Sequence, residues 1–188
     1  MKNLMLFSVL FLSSNLVQAV ELDKTASSIH FISIKKDAIG EIHRFKSFEL
    51  QVQADGKFKL DIDLKTVDTS VAIRDQRLRD LLFETIRFPM ASISGEVNPS
   101  IYRVLKAGDT LSNQVAAEIY LHGMKQTLTI AVQITKLSDN SLRIDAEPFI
   151  LDAKLFGFSN GIDSLAKIAG LNAISSAIPV FFSLKLHL

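Results

Sequence analysis

The chain has 188 residues with no cysteine and no tryptophan, and it sets 21 Lys and Arg against 20 Asp and Glu. A nearly neutral chain offers nucleic acid no basic footprint. The absent thiols exclude disulfides, thiolate metal sites and cysteine nucleophiles, so burial and hydrogen bonding must supply the stability.

Lys2 opens the chain, Leu4 to Leu12 is apolar, and Val17-Gln18-Ala19 ends in small residues. This is the pattern of a secretory signal. It predicts cleavage after Ala19, export, and a periplasmic mature chain beginning at Val20. The run is too short and wrongly flanked for a membrane span, so no stable membrane insertion is expected. Residues 20–188 suit one domain with a single core.

Alternation of apolar and polar residues then recurs along the chain, the period of half-buried strands. A short run at 28–35 comes first. Phe48, Leu50, Val52 and Ala54 follow, and Asp55-Gly56 marks a hairpin turn. Phe58, Leu60, Ile62 and Leu64 then alternate with Lys57, Lys59, Asp61, Asp63 and Lys65. After a run at 90–97 come Val115, Ala117, Ile119 and Leu121. The turn His122-Gly123-Met124-Lys125 leads to Leu128, Ile130, Val132 and Ile134, and Ser138-Asp139-Asn140 leads to Leu142, Ile144 and Ala146. Val180, Phe182, Leu184 and Leu186 close the series. The pattern predicts eight strands in an all-β antiparallel barrel, since closure removes unpaired edges.

Two connections are too long for turns. In 67–89, Thr69 to Asp80 reads TSVAIRDQRLRD, and Leu78, Leu81 and Leu82 fall at i, i+3 and i+4 of a short helix. In 152–178, Leu165, Ile168, Ala169 and Leu171 form a broader apolar stripe. In an up-and-down barrel both connections, with the 36–44 loop and the Gly123 turn, leave from the same end. The two helical segments are therefore predicted to cap one mouth, with Leu78, Leu81 and Leu82 meeting Leu165, Ile168 or Leu171.

Thr66-Val-Asp-Thr-Ser-Val-Ala-Ile-Arg-Asp-Gln-Arg-Leu-Arg79, with Phe83 and Arg87-Phe-Pro89, resembles the signature of the YceI-like, polyisoprenoid-binding family. Leu121-His-Gly-Met-Lys-Gln-Thr-Leu-Thr129, Ser27-Ser-Ile-His-Phe31, Arg44-Phe45 and Phe156-Gly157 extend the resemblance over roughly residues 22 to 188. It implies a lipocalin-like barrel that binds a long isoprenoid or similar lipid, often in the periplasm, with no catalytic residues and no cofactor beyond the lipid itself. The chain departs from the family pattern at Arg77 (usually His), Leu155 (usually Asp) and His43 (often Gly), and in its more apolar 165–178 segment.

From the residues alone, a packed core and a ligand-holding interior look the same; the resemblance favours the cavity. Its expected lining is Phe48, Leu50, Phe58, Leu60, Ile62, Ile119, Ile130, Val132 and Phe182, with Leu165 and Ile168 from the lid. Arg74 and Arg79 either reach a polar headgroup or, with Asp75 and Asp80, pair with carbonyls and each other to fix the lid. The four histidines lack metal-ligand spacing. Gly157-Phe-Ser-Asn-Gly161 matches a nucleophile-elbow string but lies in an all-β chain with only His187 after it, so it reads as a glycine-rich loop. The functional expectation is an exported protein that sequesters or carries a polyisoprenoid or isoprenoid quinone. The alternative is a periplasmic protein–protein or envelope-stress factor with an incidental cavity. Homodimerisation is left open.

Overall fold

The computed structural model describes residues 20–36 and 38–188; the predicted signal segment 1–19 lies outside the described residues. Its strand segments are β1 (Glu21–Leu22), β2 (Ser28–Lys35), β3 (Ile39–Phe45), β4 (Phe48–Val52), β5 (Lys57–Asp63), β6 (Val67–Asp68), β7 (Met90–Glu96), β8 (Thr110–Leu121), β9 (Met124–Ser138), β10 (Ser141–Ala146), β11 (Phe149–Asp152) and β12 (Ala177–His187). The helices are α1 (Ala72–Arg77), α2 (Ser100–Arg103) and α3 (Ser159–Ile168).

Several segments are halves of one bent strand. Only Lys46 and Ser47 separate β3 from β4. The Lys46 amide donates to the Thr66 carbonyl at 3.2 Å and the Asp63 amide to the Ser47 carbonyl at 3.0 Å, so pairing with β5 and β6 continues through the bend. Similarly, β10 and β11 both pair with β12. Merged in this way, and with the two-residue β1 set aside, the segments become the eight strands expected from the alternation. They form a meander in which each strand pairs with its successor, and β12 returns to β2 at Val180↔Phe31. The result is a curled antiparallel sheet of the lipocalin-like barrel class.

Alternation sets which side faces in. Leu60 and Ile62 are 2% and 6% exposed while Lys59 is exposed, and Val115, Ala117, Ile119 and Leu121 are all buried. A slip of one residue would invert every such position, so the burial itself pins the register.

The seam between β3 and β6 pairs Arg44 with Asp68 and Phe45 with Val67. Asp68 accepts from the Ser70 amide, and Arg44 and Lys46 sit 2.9 and 3.1 Å from its carboxylate. These donors hold its pKa near 2, below the ordinary 3.8. A depressed carboxylate stabilises the fold above its unfolded pKa and loses that contribution as pH falls through the folded one. The seam should therefore weaken between about pH 4 and pH 2, and Asp68→Asn should flatten the fall of melting temperature over that range. An unchanged acid limb in the variant would show that the seam does not govern acid stability.

Because the chain is a meander, the 69–89 and 153–176 connections leave from one end, as predicted. The first differs in local form. After α1 the chain makes a π-helical turn over Leu78–Leu82, and the Phe83 amide donates to the Leu78 carbonyl. The i→i+5 spacing rotates Leu81 outward, 38% exposed, and brings Phe83 inward beside Leu78. In the second connection, α3 begins at Ser159, earlier than the apolar stripe indicates, and buries Ile162 and Ala166. A Cβ on Gly161 would stand 2.5 Å from the Leu81 carbonyl oxygen, so the two lid segments touch backbone to backbone there. Of the three residues expected opposite Leu78 and Leu82, Leu165 and Leu171 line the same cavity with them, whereas Ile168 is 48% exposed and does not. At the opposite end the 98–112 connection carries α2.

Candidate ligand cavity

The barrel interior holds two apolar compartments. The larger, about 430 Å3, lies beneath the lid, and Leu78, Leu82, Phe83, Ile162 and Leu165 form part of its roof. The smaller, about 90 Å3, extends toward the other end, where Val97 and Tyr102 flank it. Ile93 and Phe182 line both and mark the waist between them. A chain of rings joins lid to wall: Phe31 and Phe45 lie 6.3 and 5.8 Å from Phe83, and Phe83 lies 5.9 Å from Phe158.

The structure sorts the expected lining residues. Leu50, Phe58, Leu60, Ile130 and Val132 face the smaller compartment; Ile62, Ile119, Leu165 and Arg74 face the larger; Phe182 faces both. Three stand elsewhere. Phe48 is buried in the core beside the bend at Lys46–Ser47 but reaches neither compartment. Arg79 donates to Gln76 Oε1 at 2.8 Å within the lid and lines neither compartment. Ile168 lies on the outward face of α3, whose inner face is set by Ile162 and Ala166.

Arg74 Nη1 donates to Glu41 at 2.8 Å and Nη2 to the Thr69 carbonyl at 2.8 Å. Asp75 does not pair with Arg74: it accepts from the Thr69 amide at 2.8 Å and the Thr69 hydroxyl at 2.5 Å, which fastens the start of α1. Arg74→Ala strips a half-buried charged donor from Glu41 and from the Thr69 carbonyl. It should cost about 1.5–3 kcal/mol, read as a shift in denaturation midpoint at unchanged slope. A surface arginine would shift it little, and a shift that small here would remove Arg74 as the lid anchor.

Alternation alone does not single out the polar side of the larger compartment. Ser33, Lys35, Glu41, His43 and Arg77 all line it. His43 is 2% exposed with Nε2 2.7 Å from Ser33 Oγ. Burial, then the nearby Arg74 charge, lowers its pKa and favours the neutral ring. Lys35 and Arg74 lower that of Glu41. The legible signal was the 28–35 run itself, whose inward positions pass from Ile29 and Phe31 to Ser33 and Lys35.

His122 is a turn residue at φ 52°. Its ring centroid lies 4.5 Å from that of Phe88 and 4.8 Å from that of Phe158, with Nδ1 3.1 Å from the Phe156 carbonyl. It ties the β8–β9 turn to the approach of α3. The glycines of the elbow-like string are structural too. Gly157 takes φ 74° where the short 3-10 turn before α3 ends, and Gly161 permits the close lid contact. Ser159 is exposed at the start of α3.

The YceI-like domain model matches residues 21–186. The chain is 32% identical, with a TM-score of 0.87, to a polyisoprenoid binding domain from Saccharophagus degradans implicated in plant cell wall breakdown; the match covers 90% of this chain and 98% of that one. BcnA of Burkholderia cenocepacia shares the fold at 16% identity and a TM-score of 0.70, covering 88% and 99%. The YCEI protein of Campylobacter jejuni shares it at 14% and 0.53, covering 100% and 99%. No curated protein sequence matches. The eight-strand meander, its double helical lid and a match over nearly all the described residues agree: the chain belongs to the YceI-like family.

Proposed function

We propose that the protein binds a long apolar lipid, a polyisoprenoid or isoprenoid quinone, inside the barrel and holds or carries it in the periplasm after removal of residues 1–19. The observation that carries this reading is the pair of apolar compartments set end to end and roofed by a two-part lid. The polyisoprenoid-binding character of the Saccharophagus degradans domain supports the ligand class. Burial supplies the affinity: each methylene taken out of water contributes about 0.8 kcal/mol, so several isoprene units hold the ligand without a strong polar contact. The lid admits the chain and then excludes water.

Organic extraction of protein purified from the periplasm, followed by mass spectrometry, tests the reading. A prenyl-chain lipid in near-stoichiometric yield, together with an intact mass beginning at Val20, is the expected result. Protein that is folded and lipid-free, and that fails to take up prenyl lipids from vesicles, would overturn it.

A further inference from the structure

Along β2 the cavity-lining positions run Ile29, Phe31, Ser33, Lys35 toward the lid end, and along β3 in the same direction they run Phe45, His43, Glu41. The ladder sets Ile29 beside Phe45, Phe31 beside His43 and Ser33 beside Glu41. Both strands thus turn from apolar to polar as they near the lid. A wall that faced only hydrocarbon would gain nothing from this change, since polar groups are costly to bury without partners.

The charges at this corner are unequal. Lys35, Lys36, Arg74 and Arg77 line the compartment, and among the described lining residues Glu41 is the one carboxylate. Lys35 and Arg74 converge on the same Glu41 oxygen at 2.9 and 2.8 Å. One negative charge therefore serves two cations, and Arg77, one turn further along the lid, makes no ion pair among the described residues. The Ser33–His43 pair adds a directed donor. The buried His43 Nδ1 has no hydrogen-bond partner. A bare lone pair is tolerated there better than an orphaned N–H, which puts the proton of the neutral ring on Nε2, donated to Ser33 Oγ. The Ser33 hydroxyl proton then remains for an acceptor in the cavity.

We propose that this corner, made by Ser33, Lys35 and Lys36 on one side and Arg74 and Arg77 on the other, holds the anionic, oxygen-bearing head of an alkyl or prenyl ligand, a phosphate or a carboxylate. The tail runs inward past Ile93 and Phe182. His43 acts as a positioning residue that turns the Ser33 hydroxyl toward the head. This rests on the lipid-binding reading and adds the chemistry of the ligand's polar end.

Calorimetric titration of the delipidated mature chain with dodecyl phosphate, dodecanoate and dodecanol separates tail from head. The two anions should bind at least about tenfold more tightly than the alcohol, the range of a charge-assisted hydrogen bond. Arg77→Gln and Ser33→Ala should each reduce anion affinity several-fold, a larger loss than either causes for dodecanol, so that the anion preference narrows. Arg77 is half-buried on the lid and Ser33→Ala is nearly isosteric, so both variants should fold. Equal affinity for all three ligands, or an anion preference untouched in both variants, would overturn the headgroup site while leaving lipid binding intact. Failure of all three to bind would overturn both readings. Inorganic phosphate should not displace dodecanoate at matched concentration; if it does, the corner is a free-anion site and not a headgroup site.

Discussion

Ile93→Phe should divide the ligand cavity in two. Ile93 is 6% exposed, faces Leu60 and Ile119 across the ladders, and with Phe182 lines both compartments. A ring at this position fills the waist, and a tail that would cross it must stop short. If about four methylene equivalents lose their burial, the loss is ~3 kcal/mol, or roughly a hundredfold in affinity for a long chain. A short prenyl alcohol held under the lid alone should bind within a factor of about three of the parent protein. Overpacking costs about 1–3 kcal/mol of stability, which the closed barrel should survive. The lipids extracted from the variant should shift to shorter chains. An unchanged chain-length profile in a folded variant would mean that the ligand never passes the waist.

The barrel was legible because the information that specifies it is local and repeated. Each strand announces its inner face every second residue, and Phe58 to Leu64 alone fix register and orientation for their hairpin. The lid was legible only as to its place. The spacing of Leu78, Leu81 and Leu82 assumes 3.6 residues per turn, whereas the π turn exposes Leu81 and replaces it with Phe83. Nothing in those residues signals an i→i+5 bond, because packing of Phe83 against Phe31, Phe45 and Phe158 selects it. The start of α3 was hidden for a similar reason. Glycine at 157 and 161 reads as loop by propensity, yet Gly161 lies inside the helix because the neighbouring lid segment leaves no room for a side chain. The polar corner was obscured by its composition: Ser33, Lys35, Glu41 and His43 look like solvent-facing residues until the ladder places them on the inner wall. Ile168 belongs to the apolar stripe by spacing, yet α3 turns it outward, and of the two roles open to Arg79 the structure shows the contact within the lid, to Gln76.

Gly161→Ala should open the lid and spare the barrel. Its new methyl would lie 2.5 Å from the Leu81 carbonyl oxygen and 3.1 Å from Leu82 Cα, both backbone atoms that yield only if the two lid segments part. Overpacking of this kind costs about 1–3 kcal/mol. Confined to the lid–lid contact, it raises the open population about tenfold or more. Exchange of a fluorescent prenyl analogue with vesicles should accelerate by a similar factor. Gly170 provides the control. It takes φ 64° just beyond α3, and nothing lies within 4 Å of a Cβ built there. Gly170→Ala therefore carries only the left-handed backbone cost of about 1–2 kcal/mol, leaving the contact between the lid segments in place. The two variants should melt at similar temperatures but exchange lipid at different rates. If Gly161→Ala lowers the melting temperature and leaves exchange unchanged, the lid does not gate the cavity, and the ligand must enter from the end flanked by Val97 and Tyr102.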